Sequence, residues 1–400
     1  MIGFLLGVGG LGLLTSTVFG GLVLAGVFQF ARSRRAAAAV RARQNYLPPV
    51  SLLKPLHGTE PNLESHLESF FLQDYPNYEI LFCARDRDDA GLATARRVAA
   101  RYPSIPAKFL VAEEPIWTNA KVSSLERMAK SASHDIFIIS DSDVRVSSEY
   151  VREVVAPFAE EKVGSVTCLY RGVADGSLWS QLEAVGMSVE MTAGVLVAAM
   201  MEGVQFALGP TMAVRRKCIE EMGGFGVLGP YCSDDFLLGN RVAANGHTVV
   251  LSDHVIDHVI LNTSFLPSLK HQVRWMKSTR FSRPKGHLGT ALTFSLPFGL
   301  LACIAAGLLH HPVLGLGLLA WSIVNRMVIA GFVSSAVVRD PRRLRNVVLY
   351  PLRDLMGFFF WAASYTSNKI LWRGEVYTLG PEGIMHSLEK RDASEPVVTA

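Results

Sequence analysis

The chain has 400 residues, of which 50% are hydrophobic, and its mean hydropathy of +0.27 is too high for an ordinary soluble enzyme. Charged residues still make up 18% of the chain, so we expect a soluble domain attached to a membrane. The net charge is only +4, and Lys and Arg gather beside apolar segments, which argues against a nucleic-acid partner. The five cysteines are scattered and show no metal-binding spacing, so we expect reduced thiols in a domain that faces the cytosol.

The N-terminal segment predicts a membrane anchor. Residues 2–30 contain no charged side chain, and about 20 apolar residues are enough to cross a bilayer. A cleaved signal peptide would have a shorter apolar core with its charges before it. Positive charge follows the apolar run, which predicts an external N-terminus and a cytoplasmic domain after it. The arginines concerned are Arg32, Arg34, Arg35, Arg41 and Arg43.

The middle of the chain alternates between predicted strands and helices. This alternation predicts an α/β fold with a mostly parallel sheet. The order becomes less regular after residue 143, where we predict a strand at 163–169, an apolar helix at 178–201 and a strand at 206–214. The regular part comprises strands at 50–56, 78–83, 108–111 and 136–139 and helices at 62–71, 91–102 and 120–131.

Two carboxylates, Asp141 and Asp143, follow the apolar strand 136–139. Side chains two residues apart point the same way in extended backbone, and oxygen ligands at such spacing suit a hard divalent cation. Open α/β sheets bind their ligands at this edge, although an isolated pair of this kind is more often a polar turn. A second pair, Asp234 and Asp235, opens a predicted helix, where acids also interact favourably with the helix dipole without any catalytic role.

The C-terminal part returns to the membrane. A basic, Trp-bearing amphipathic helix precedes two apolar spans at 288–309 and 313–338, and the second span contains Arg326, which should face a partner or a polar cavity. The stretch 347–365 is either a further crossing or a re-entrant helix, and we expect disorder from Glu389 onwards. The predicted organisation is an anchor at 1–31, a basic linker at 32–48, the catalytic domain at 49–264, an interfacial helix at 265–287, a transmembrane hairpin at 288–338, a basic loop with a further membrane or re-entrant helix at 339–366, and a C-terminal tail at 367–400.

Several motifs, in this order and spacing, resemble the ceramide glucosyltransferases and the related bacterial hopanoid biosynthesis glycosyltransferases. The resemblance implies a GT-A fold, which is Rossmann-like, in the cytoplasmic domain, with transmembrane helices at both ends. The motifs are Ser51-Leu52-Leu53-Lys54-Pro55-Leu56, Asp86-Arg87-Asp88-Asp89, Asp141-Ser142-Asp143, Ser233-Asp234-Asp235-Phe236, Val273-Arg274-Trp275 and Trp372-Arg373-Gly374.

The resemblance also implies roles for individual residues. Asp235 matches the general base, and Arg274 with Trp275 matches the end of a (Q/R)xxRW signature whose first position is His271 in this chain. Asp141 and Asp143 match the element that binds the donor diphosphate through Mg²⁺ or Mn²⁺. The remaining donor-binding positions are Asp86, which matches the uridine-binding aspartate, Lys54 and Lys121.

The expected activity is an inverting, metal-dependent transfer of glucose from UDP-glucose to ceramide. An alternative within the same class is transfer of N-acetylglucosamine from UDP-GlcNAc to bacteriohopanetetrol. A processive polysaccharide synthase is disfavoured because too few spans follow Trp275 to build a polymer channel. Alternatives of other classes are a non-catalytic membrane protein that binds nucleotide sugars or lipids, and a metal-dependent phosphotransferase. We expect an integral protein of the bacterial inner membrane whose catalytic domain faces the cytoplasm.

Overall fold

A computed structural model describes residues 1–41, 46–113, 115–174, 176–372 and 374–388. The predicted disorder from Glu389 onwards lies outside the described residues, as does Arg373 of the Trp372-Arg373-Gly374 motif. The first helix, α1, spans Ile2–Arg41 and continues through much of the predicted basic linker. Ala and Arg are strong helix formers, so their abundance after Phe30 extends the helix beyond its apolar part.

The predicted alternation of strands and helices is confirmed between residues 50 and 140. Its strands β1, β2 and β4 are buried along their whole length, as expected for strands covered on both faces. Helix α4 has the predicted bounds, and the other ends differ by a few residues. The elements are β1 (Val50–Pro55), α2 (Leu63–Phe71), β2 (Tyr78–Ala84), α3 (Ala90–Ala99), β3 (Ala107–Val111), α4 (Ala120–Ser131) and β4 (Ile136–Ser140).

The second half completes one eight-stranded sheet in the order β3-β2-β1-β4-β7-β6-β8-β5. Its new elements are β5 (Val144–Arg145), α5 (Tyr150–Val155), β6 (Val163–Val173), α6 (Leu178–Val185), α7 (Thr192–Glu202), β7 (Thr211–Arg215), α8 (Arg216–Glu221), α9 (Asp234–Ala244) and β8 (Thr248–Val259). Strand β7 runs antiparallel to β4 and β6, and the two-residue β5 runs antiparallel to β8. The prediction of a strand from residue 206 was wrong, because Gly209 and Pro210 form a turn and β7 begins only after them.

The described part of the C-terminal region contains five α-helices and a second sheet. The elements are α10 (Phe265–Ser282), α11 (Pro284–Thr290), α12 (Leu296–Leu308), α13 (Pro312–Phe332), α14 (Arg343–Ala363), β9 (Lys369–Trp372), β10 (Glu375–Leu379) and β11 (Met385–Ser387). Pro284 begins α11, since the first position of a helix tolerates the missing amide hydrogen. Strands β9 to β11 form an antiparallel sheet within the segment that was predicted as a tail.

Three helical segments in the described part of the chain are long and apolar enough to cross a membrane: Ile2–Ala38, Leu178–Glu202 and Pro312–Val337. The pair Pro284–Thr293 and Leu296–Leu308 also passes this test, but it is bent by 47°. The first arm of the predicted hairpin is therefore broken. The segment Leu178–Glu202 is 61% buried inside the protein, against 28% for Pro312–Val337, so it packs mainly against other parts of the chain.

Arg326 faces a partner within this helical region, as the sequence predicted. Its Nη1 atom lies 3.2 Å from Oδ1 of Asp354 in α14, and both side chains are almost fully buried. The other carboxylate oxygen of Asp354 accepts hydrogen bonds from the backbone amides of Ser295 and Leu296, at the start of α12. Arg326 also donates to the carbonyl of Ser16 in α1. One buried ion pair thus connects four helices.

Replacing Arg326 with Met should destabilise this bundle, because the Asp354 charge would remain buried without its partner. Breaking such a pair on one side costs about 3–5 kcal/mol of the free energy of unfolding. We expect a clearly lower thermal midpoint of the detergent-solubilised protein. Adding Asp354→Asn should recover part of the loss, since the amide oxygen can still accept from the α12 backbone. An unchanged midpoint in the single variant would contradict a structural role for the pair.

Candidate active site

Lys54 and the Asp141 segment meet at the carboxyl edge of the sheet. Strands β1 and β4 are parallel neighbours, so the residues that end them emerge side by side. The Nζ atom of Lys54 donates to the carbonyl oxygen of Asp141 at 2.5 Å and lies 3.8 Å from the ring centroid of Phe70. Burial lowers the pKa of Lys54 to about 7, although Asp141 and Asp143 favour its charged form.

Lys121 connects the two acidic pairs. It lies in the first turn of α4, and its Nζ atom is 2.7 Å from Oδ1 of Asp141 and 3.7 Å from Oδ2 of Asp234. Burial alone would lower the pKa of Lys121, but these two carboxylates raise it above the ordinary value. Asn119 caps α4 and also donates to Oδ1 of Asp234 at 3.1 Å. The start of α4 therefore contacts both Asp141, which follows β4, and Asp234, which lies in α9.

His258 is a site residue that sequence reasoning missed. Its Nε2 atom lies 3.0 Å from Oδ2 of Asp143, because the pairing of β5 with β8 places it opposite Val144. Burial would raise the pKa of Asp143, but His258 and then Lys54 reverse this and lower it to about 2. The pKa of His258 is raised in turn: burial opposes the charged ring, and Asp143 favours it. The alternating strand pattern around His258 gave no signal for this contact.

Asp235 has a different environment from Asp143. Its Oδ2 atom accepts a hydrogen bond from the amide of Gly209 at 2.8 Å, and its Oδ1 atom accepts one from the amide of Phe236 at 2.8 Å. Burial, followed by the charge of Asp234, raises the pKa of Asp235 to about 6. A carboxyl group with this pKa can accept a proton near neutral pH and release it again, as a general base must.

The carboxylates fit a divalent cation. Oδ1 of Asp143 is buried and has no hydrogen-bond partner among the described residues, although Oδ2 of the same group is paired with His258. A buried carboxylate oxygen without a partner is costly, so such an atom suits a ligand that supplies positive charge. Asp141 follows the same strand, and its Oδ2 atom faces Gly209 beside Asp235. Asp141 and Asp143 could therefore hold Mg²⁺ or Mn²⁺ through hard oxygen ligands.

Helix α10, which the sequence predicted to be interfacial, brings its signature residues to the same region. The ring of Trp275 lies 4.6 Å from the ring of His271 and 6.4 Å from that of His258, measured between centroids. His271 Nδ1 lies 2.7 Å from Oε1 of the buried Glu183 in α6. The Arg274 guanidinium lies over the ring of Trp372, 5.8 Å from its centroid. Arg274 is therefore directed towards the C-terminal sheet, while Trp275 is directed towards the carboxylates.

Asp86 is exposed in the loop after β2. Its neighbour Arg85 lines a cavity of about 300 Å³, which opens where β1, β2 and β3 end. The last acid of the same motif, Asp89, caps α3 and accepts a hydrogen bond from the amide of Gly58. The structure thus brings together Lys54, Lys121, Asp141, Asp143 and Asp235, whereas Asp86 follows Arg85, which lines the neighbouring cavity.

Comparisons with known proteins agree with the fold and with the predicted resemblance. Ceramide glucosyltransferase 3 of Caenorhabditis elegans is 25% identical over 342 residues, which cover 83% of this chain and 73% of that protein. The ceramide glucosyltransferase of Komagataella phaffii is 34% identical over 103 residues, which cover 25% of this chain and 20% of that protein. The mannosyltransferase PcManGT of Pyrobaculum calidifontis, solved with GDP-Man and Mn²⁺, has a similar fold at 16% identity, with a TM-score of 0.50 over 89% of this chain and 97% of that chain.

These findings confirm the GT-A fold and the resemblance to ceramide glucosyltransferases. The family model of glycosyl transferase family 21 matches residues 15–385, which include every motif that carried the resemblance. The match begins within the N-terminal apolar helix, and it also includes the apolar helices that follow the predicted catalytic domain. The protein is a glycosyltransferase, and the chain belongs to glycosyl transferase family 21.

Proposed function

We propose that this glycosyltransferase is inverting and metal-dependent, and that it transfers glucose from UDP-glucose to the primary hydroxyl of ceramide. The observation that carries the proposal is the meeting of one carboxylate pair suited to a cation, Asp141 and Asp143, with one carboxylate suited to proton transfer, Asp235. The named ceramide glucosyltransferase relatives support the choice of glucose and ceramide.

The donor diphosphate needs compensation for negative charge as it departs. Asp141 and Asp143 would hold Mg²⁺ or Mn²⁺, which supplies electrostatic stabilisation of the leaving diphosphate. Lys121, and Lys54 in its protonated form, add positive charge at the same edge of the sheet, and Arg274 lies over Trp372 of the C-terminal sheet. Such fixed charges stabilise developing negative charge without reorganising during the reaction.

Asp235 acts as the base in a single displacement. It accepts the proton of the lipid hydroxyl while that oxygen bonds to the anomeric carbon, and the bond from this carbon to the diphosphate breaks on the opposite face. The two hydrogen bonds from Gly209 and Phe236 fix the carboxylate for this step. No protein nucleophile takes part, so an α-linked donor gives a β-linked product.

The acceptor is a membrane lipid because membrane-type helices adjoin the base. Phe236 follows Asp235 directly, and the Arg283 guanidinium lies 5.4 Å from the centroid of its ring. Arg283 also pairs at 2.9 Å with Glu202, at the end of the apolar segment Leu178–Glu202. The arginines after residue 31 favour a catalytic domain on the cytoplasmic side of the membrane, where cytosolic UDP-glucose would reach it.

The direct test is a product assay by mass spectrometry on the full chain in membranes. UDP-glucose or UDP-N-acetylglucosamine is supplied with Mn²⁺ and with ceramide or a bacteriohopanepolyol. We expect a hexosylceramide, loss of product with a chelator, and no product from Asp143→Ala, which removes one proposed metal ligand. An N-acetylhexosamine-hopanoid would replace the proposed donor and acceptor, and a product that persists with the chelator would contradict metal dependence.

Asp235→Asn should separate catalysis from donor binding. The amide keeps the shape, but its single oxygen can accept only one of the two hydrogen bonds from Gly209 and Phe236. It is also too weak a base, so we expect turnover to fall by about 10²–10⁴-fold. Calorimetric binding of UDP should change little. The wild-type enzyme should lose kcat as the pH falls through about 6, since protonation removes the base. Unchanged turnover in the variant would remove Asp235 from this role.

Gly209→Ala tests how closely Asp235 must be placed. An added Cβ would lie 3.0 Å from Oδ2 of Asp235 and 3.7 Å from Oδ2 of Asp141, so the base must shift by a few tenths of an ångström. We expect kcat to fall by roughly 10-fold, because small misplacements of reacting groups are costly. Gly194→Ala in α7 is the matched control, since its Cβ would meet no atom within 4 Å. Equal activity of both variants would contradict a need for close placement.

A further inference from the structure

The C-terminal sheet forms one wall of the cavity beside the carboxylate cluster. Four of its side chains line this cavity of about 300 Å³: Trp372, Glu375, Tyr377 and Ser387. The opposite wall comes from residues that follow β1, β2 and β3 and from the first turns of α4. The segment that the sequence predicted to be a tail therefore encloses space next to the proposed donor site.

Backbone hydrogen bonds attach this sheet to the loop before α9, the helix that carries Asp235. The amide of Cys232 donates to the carbonyl of Gly383 at 3.0 Å, and the amide of Met385 donates to the carbonyl of Pro230 at 2.7 Å. The α10 side is attached as well, since Nζ of Lys277 donates to the carbonyl of Lys369 at 2.8 Å. Because the loop leads directly into Asp234 and Asp235, the sheet has a fixed position relative to the active site.

The walls of the cavity have the chemistry of a nucleobase site. Trp117 from the loop before α4, together with Trp372 and Tyr377 from the sheet, supplies aromatic surface. Ser123 and Ser124 of α4 supply hydroxyl groups. Aromatic surface stacks on the face of a base, and polar groups hydrogen-bond its edge. A cavity with both features suits a flat, polar heterocycle better than a lipid chain.

The position of the cavity next to the proposed diphosphate site fits a nucleoside diphosphate. Its α4 wall includes Ala120, and the next residue, Lys121, contacts Asp141 at the proposed diphosphate site. Arg274 lies over the ring of Trp372, so one aromatic side chain adjoins both the cavity and a cation. On the sheet side, Arg85 pairs at 3.7 Å with Glu375. A base in the cavity would thus place its phosphates towards Lys121 and Arg274.

We propose that the C-terminal sheet belongs to the donor site, and that Trp372 contacts the pyrimidine base of the nucleoside diphosphate sugar and contributes to its selection. This inference rests on the proposed function, since it assumes a uridine-type donor. It assigns a binding role to a segment that lies far along the chain from the catalytic motifs. It also requires the membrane helices to be in place, because they carry the sheet back to the catalytic domain.

The test uses the full chain in lipid nanodiscs, with UDP as the probe in calorimetry and with UDP-glucose in kinetics. For Trp372→Ala we expect at least a 10-fold higher Kd for UDP and a similar rise in donor KM, with a smaller change in kcat. Trp372→Phe should restore most of the affinity, because it keeps an aromatic face. Leu371→Ala is the matched control, since Leu371 lies in the same strand, is 54% exposed and does not line the cavity.

A second variant avoids removing core contacts from the sheet. Ser387→Trp adds bulk to an exposed residue that lines the cavity, and it should block UDP binding while leaving the thermal midpoint near that of the wild type. Preference for UDP over ADP, measured by competition, should fall in Trp372→Ala and remain in Leu371→Ala.

The outcomes separate the two proposals. A wild-type protein that binds no UDP would overturn the proposed donor and, with it, this inference. A wild-type protein that binds UDP, with Trp372→Ala and Ser387→Trp binding it equally well, would overturn the role of the sheet alone. An equal loss for UDP and ADP in Trp372→Ala, without recovery in Trp372→Phe, would also overturn contact with the base.

Discussion

Four carboxylates lie close together at one edge of the sheet, and the structure of the active site depends on how their negative charges are compensated. Like charges at such separations repel strongly where water is scarce, so each must be neutralised, paired or protonated. Lys121 contacts two of the groups, and His258 pairs with a third. The sheet provides part of the constraint, because Asp141 and Asp143 follow β4 and His258 lies near the end of β8. The starts of α4 and α9 supply Lys121, Asp234 and Asp235. The four groups are Asp141, Asp143, Asp234 and Asp235.

The environments of these carboxylates push their pKa values in opposite directions. Asp143 has a pKa lowered to about 2, since His258 and Lys54 outweigh the effect of burial. Asp235 has a pKa raised to about 6, because burial and Asp234 act in the same direction. Asp143 thus remains an anion near neutral pH, as its proposed role as a metal ligand requires, and Asp235 can exchange a proton. Groups of the same chemical type acquire different roles from their surroundings.

The sequence predicted the parts of this arrangement that arise locally. The order of strands and helices up to Asp143 follows from apolar runs and caps, and the position of Asp141 and Asp143 follows from the end of β4. The contact of His258 with Asp143 joins residues 115 positions apart through β5, a strand of two residues with no recognisable pattern. The C-terminal sheet escaped prediction for a similar reason, since β9 to β11 are short and acquire their stability by packing against other elements.

His271 occupies the first position of the (Q/R)xxRW signature, where the family has Gln or Arg, and its contacts show how this position is held. His271 contacts the buried Glu183, while the next residue, Gln272, accepts a hydrogen bond at 2.9 Å from Arg353 of α14. Arg353 also pairs at 2.9 Å with Glu190, in the π-helical turn between α6 and α7. Adjacent residues of α10 are therefore attached to two different parts of the helical region. Because these attachments fix the rotation of α10, they also fix the directions in which the following signature residues point, whatever side chain occupies the first position.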